Sequence, residues 1–63
     1  MPNKAGDTLK RLRGNKSREE VAKAVDITVR ALQSYELGER IPRDDVKQRL
    51  AEYYHRSVGY IFF

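Results

Sequence analysis

Sixty-three residues make one domain, and a chain this short buries only about 60% of its unfolded surface, so it needs a compact core, a partner or staples. It has no cysteine, which excludes disulfides and thiolate metal sites, and its single histidine, His55, cannot build a zinc centre. Thirteen Lys and Arg against nine Asp and Glu leave a net charge of +4, which suits a polyanion such as DNA or RNA, although many basic domains bind neither.

The opening stretch, MPNKAGDTLK, lacks the apolar core of a signal peptide. No apolar run approaches the roughly 18 residues of a membrane span, so a cytoplasmic protein with no membrane partner is expected. A first short helix is expected over about Gly6 to Arg13, capped by Asp7 or Thr8, with Leu9 and Leu12 as its apolar stripe. Gly14 can take positive φ and stops it; Asn15 and Lys16 connect onward. Ser17-Arg18-Glu19-Glu20 reads as a capping box, in which the Ser17 hydroxyl accepts from the Glu20 N–H and the Glu20 carboxylate reaches back to Ser17. The stripe Val21, Ala22, Val25 follows at once. Asp26 breaks the pattern, Thr28 is a fresh N-cap, Leu32 and Tyr35 carry the next stripe, and Gly38 ends it. Pro42 closes a loop and opens another helix, with Asp44 and Asp45 where negative charge suits the dipole. Val46, Leu50 and Tyr53 form its stripe, His55-Arg56 marks its end, and Ser57 caps a last short helix through Val58, Ile61 and Phe62. No window alternates with period two for long enough to argue a strand. The expectation is an all-α bundle of five short helices in a single domain, 1–63.

At 100° per residue, Thr28, Ala31, Leu32 and Tyr35 share one arc of about 100°, and Val29, Arg30, Gln33 and Ser34 fall opposite. The opposite arc offers a guanidinium, an amide, a hydroxyl and an apolar group, which is what base edges in a major groove take up. The same residues also suit a plain solvated face. Ala22 is small on the stripe that meets the next helix, and only Asp26-Ile27-Thr28 separates the two stripes. That is the connection of a helix-turn-helix, whose helices cross at about 90–120°. Ile27 would pin the turn to the core.

Other chemistries are less well supplied. Glu19-Glu20 and Asp44-Asp45 occupy first turns, which explains them structurally. His55 lies at a helix end without a nucleophile or pocket, and there is no Gly-rich phosphate loop. An enzyme is not expected, nor a cofactor or metal. Tyr53, Tyr54, Tyr60, Phe62 and Phe63 could stack bases, but their helical spacing favours core, with part of the cluster in a dimer interface.

SREEVAKAVDITVRALQSYELGERIP resembles the helix-turn-helix of Xre/Cro/CI-type bacterial and phage regulators, and LAEYYHRSVGYIFF resembles that family's fourth and fifth helices. The resemblance implies a lambda-repressor-like bundle with its motif at about 18–37, within residues 17–38. It implies a small transcriptional regulator, most simply a repressor, bound as a homodimer to a palindromic double-stranded DNA operator. Its second motif helix, 28–37, would lie in the major groove while the first crosses the backbone. Carried over, Val29, Arg30, Gln33 and Ser34 read bases, and Lys16, Arg18, Thr28, Arg40 and Arg43 hold phosphates. Glu36 would pair with Arg13, or failing that Arg11. Three departures stand out. Asp26 replaces the family's turn glycine, Arg18 replaces a common glutamine, and the link from Arg13 to Ser17 is shorter than usual, which could shift how the first helix docks. The competing expectation is a protein-interaction module, such as an antitoxin with secondary DNA binding.

Overall fold

The computed structural model describes residues 4–63. Five helices form: α1 (Lys4–Arg13), α2 (Arg18–Ala24), α3 (Val29–Leu37), α4 (Asp44–Tyr54) and α5 (Val58–Phe62). No strand occurs among the described residues. The starts of three helices follow from the expected hydroxyl caps, while the return bond from Ser17 N–H to the Glu20 carboxylate does not form among the described residues. Ser17 Oγ accepts from Glu20 N at 3.1 Å, Thr28 Oγ1 from Ala31 N at 3.0 Å, and Ser57 Oγ from Tyr60 N at 3.0 Å. Each bond satisfies one of the amide donors that a helix start leaves open. Left-handed residues directly follow three helices: Gly14 (φ 57°) after α1, Gly38 (φ 77°) after α3 and His55 (φ 58°) after α4. His55 therefore acts through its backbone, as a C-cap.

The first helix begins earlier than the sequence suggests, because Gly6 is an interior residue of α1. A Cβ on Gly6 would lie 2.6 Å from the Glu36 carbonyl oxygen and 3.0 Å from that of Tyr35. The missing side chain lets α1 press directly on the C-terminal backbone of α3. Asp7, a candidate cap from sequence, sits instead in the first turn of α1.

The five helices share one core. Leu9, Val21, Leu32, Leu50 and Ile61 are its fully buried side chains, so every helix contributes one. Ala22, Val25, Val46 and Ala51 complete it, with Tyr35 and Tyr54 at its margin. Helix α1 packs on both α3 and α5, while α2 packs on α3 and α4 on α5. The aromatic cluster divides. Tyr54 is buried, Tyr53 and Phe62 pack partly against the core, and Tyr60 and Phe63 face solvent. Tyr53 and Tyr54 meet edge to face, with ring centroids 5.2 Å apart. The Tyr54 hydroxyl is buried without a hydrogen-bond partner. Burial first, and the Glu36 carboxylate second, push its pKa up from 10.0 to about 12.

Candidate nucleic-acid interface

The turn between α2 and α3 sets the geometry of the candidate surface. Val25 caps α2 through a 3.0 Å bond from its N–H to the Val21 carbonyl. Asp26 then takes the left-handed conformation, φ 61°, where the family commonly has glycine. This reversal lets Ile27 N–H donate to the Ala22 carbonyl at 2.9 Å. Ala22 is buried, and the Ile27 side chain packs against the core from the turn. The pair α2–α3 spans Arg18 to Leu37, and Thr28 stands just outside α3 as its cap.

Helix α3 has two contrasting faces. Leu32, Tyr35 and Glu36 are buried. Arg30 and Gln33 are exposed, Val29 is 39% exposed, and Ser34 is half-buried. Val29, Arg30 and Gln33 therefore share an outer surface, with Ser34 at its edge. The Ser34 carbonyl accepts from Glu39 N at 2.9 Å, tying the following loop to the helix. Leu37 is an exposed apolar residue at the end of α3.

Behind that surface lies a buried charge. The Glu36 side chain is 0% exposed. Arg13 grips it side-on, with Nε donating to Oε2 at 2.7 Å and Nη2 to Oε1 at 3.2 Å. Arg13, not Arg11, is the partner, as the position after Leu12 suggests. The Glu36 hydrogen bond raises the Arg13 pKa further above its ordinary value, against the opposing effect of burial, so this guanidinium stays charged. Arg13 Nη1 also donates to the Lys16 carbonyl at 2.8 Å. With Gly14 at φ 57° and Lys16 N–H bonded to the Arg13 carbonyl at 3.1 Å, the short link to α2 closes on Arg13 itself.

Sequence reasoning missed the second cation on Glu36. Arg18 Nε donates to Oε1 at 3.0 Å, and the Arg18 side chain is 34% exposed. Nothing in the spacing of Arg18 and Glu36 signals this pair; it needs the packing of α2 on α3. The remaining phosphate candidates lie on either side of α3 in the chain. Lys16 is exposed on the α1–α2 link, its ammonium 4.9 Å from the Tyr53 ring centroid. Thr28 is exposed at the α3 start, and Arg40 and Arg43 are exposed on the loop that follows α3.

An all-helical body with this two-helix turn, this capped outer helix and this buried Arg–Glu pair defines a helix-turn-helix domain. The chain belongs to the Xre/Cro-type helix-turn-helix family, whose model matches residues 9–61. No curated protein and no solved structure matches it. The family is one of DNA-binding regulators and is not normally enzymatic, so the chain is a DNA-binding transcription regulator acting on double-stranded DNA. Among the described residues, no helix is long and apolar enough to cross a membrane.

Proposed function

We propose that the chain is a sequence-specific repressor domain that sets α3 in the major groove of a palindromic operator as a homodimer. The observation that carries this reading is the division of α3. Its inner face is fixed by Leu32, Tyr35 and the ion-paired Glu36, while Val29, Arg30 and Gln33 stand outward from a capped helix. Arg30 is matched to guanine, Gln33 to adenine, Val29 to a thymine methyl, and Ser34 to either base at the edge of the surface. Lys16, Arg18, Thr28, Arg40 and Arg43 would take phosphates around that contact. The dimer reading is supported by apolar side chains left in solvent: Ile41, Tyr60 and Phe63, the last 91% exposed. Action in the cytoplasm, on the nucleoid, goes with this role.

The same exposed apolar residues also support the second reading, a module that neutralises a protein partner by contact and binds DNA secondarily. In vitro selection of duplexes at stated salt separates the two. The repressor reading expects enrichment of a symmetric site, with half-sites about one helical turn apart. Recovery of no preferred sequence, together with salt-insensitive binding, would reject it in favour of the protein-contact reading.

A further inference from the structure

The Glu36 site is charged out of balance. One buried carboxylate is already held side-on by Arg13, which satisfies both of its oxygens. Arg18 then adds a second guanidinium to Oε1. The cluster carries two positive charges against one negative, and the excess lies on Arg18, the more exposed of the two arginines. Arg18 also uses only Nε for this bond. Its end-on pair of nitrogens, Nη1 and Nη2, has no protein partner among the described residues. A guanidinium offers five N–H donors in a fixed plane, and one edge can be occupied while another stays open to a second anion.

We infer that Arg18 is a positioning residue, bridging the buried Glu36 of α3 through Nε to a DNA phosphate through Nη1 and Nη2, so that one side chain sets the recognition helix relative to the backbone. The inference rests on the DNA reading above and adds the physical link between scaffold and phosphate. Held by Glu36, the guanidinium is oriented before DNA arrives, which lowers the entropy lost on contact. An ammonium is a single point at the end of a flexible stem. It would be drawn inward by Glu36 or outward by phosphate, and would not reproduce the fork.

The test is affinity for the selected duplex and for a scrambled one, across a salt series, for the wild-type chain, Arg18→Lys and Arg18→Gln. Arg18→Lys keeps the charge and is expected to bind both duplexes about tenfold more weakly. Arg18→Gln is expected to lower the slope of log K against log salt by about 0.9, one phosphate contact. Nitrogen-detected spectra of the wild-type chain give an independent readout. The Arg18 Nε–H should stay protected with and without DNA, while the Nη groups become restricted only in the complex. Arg18→Lys binding within twofold of wild type, an unchanged slope in Arg18→Gln, or loss of Nε–H protection on binding each overturns the bridge while leaving the DNA reading intact. A wild-type chain that binds no duplex even at low salt overturns both.

Discussion

The Glu36 carboxylate lies flat against the Arg13 guanidinium, with Oε2 2.7 Å from Nε and Oε1 3.2 Å from Nη2. This bond joins α1 to α3 behind the outward face of α3. Removing one partner of a buried pair costs about 3–5 kcal/mol, because the other charge is left uncompensated. Arg13→Met should fall at the low end, about 3 kcal/mol, since Arg18 still reaches Oε1. Adding Glu36→Leu to that variant should recover part of the loss. Urea midpoints of the two single variants and the double variant check this; strictly additive losses would mean that the pair is not coupled.

Gly6 makes a prediction opposite to helix propensity. Alanine in a helix interior is ordinarily favoured over glycine by about 1 kcal/mol. At Gly6 the added Cβ would meet the Glu36 carbonyl at 2.6 Å, and backbone cannot step aside cheaply. Gly6→Ala should therefore destabilise by about 1–3 kcal/mol, the usual range for overpacking. Thermal melting decides the sign; a stabilised variant would mean that α1 can slide on α3.

Asp26 holds the turn at φ 61° without being glycine. The left-handed region costs most side-chain-bearing residues about 1–2 kcal/mol, and aspartate less than most. Asp26→Gly should raise stability by up to about 1 kcal/mol, and Asp26→Val should lower it. DNA affinity at fixed salt should change little in the glycine variant, because the turn geometry is retained.

Tyr54 should make stability fall in alkali. Its pKa is raised in the folded state, from 10.0 to about 12, so the neutral phenol is the form that folding favours. The contribution is fully present below pH 10 and is lost as pH climbs from 10 to 12, where the unfolded chain has already released its proton. The loss is on the order of 2 kcal/mol. Tyr54→Phe should abolish that part of the alkaline decline. It also removes a buried hydroxyl without a partner, so it should be neutral or slightly stabilising at pH 7. The difference between the two pH–stability curves is the measurement, which cancels the lysines.

Arg30 provides the test of base reading. Arg30→Ala should weaken binding to the selected site by about 1–3 kcal/mol and leave scrambled DNA nearly unaffected. Fluorescence anisotropy on both duplexes distinguishes the outcomes; equal losses on the two would place Arg30 on the backbone instead.

Local chemistry made much of this molecule legible in advance. The caps at Ser17, Thr28 and Ser57 are decided within four residues, and each forms as its hydroxyl and spacing suggest. The stripes of α2, α3 and α4 are likewise periodic patterns, and they become core. What stayed hidden depends on packing between distant segments. Gly6 reads locally as a helix boundary, and only the approach of α3 makes it an interior contact. Arg18 reads as a surface cation, and only the stacking of α2 on α3 places it against Glu36. The exposed face of α3 was legible as a periodic arc, though its edge at Ser34 is more sheltered than the arc implies.

The two faces of α3 lie on one helix of nine residues, yet they depend on different parts of the chain. Leu32, Tyr35 and Glu36 are bound to the core and to arginines outside the helix, whereas Val29, Arg30 and Gln33 contribute little to holding it. Substitutions at such outward positions usually change stability by no more than about 0.5 kcal/mol. With the base-reading role proposed for positions 29, 30 and 33, a lineage could vary them and acquire new targets without passing through unfolded intermediates. The same separation makes those positions a natural place to begin redesign.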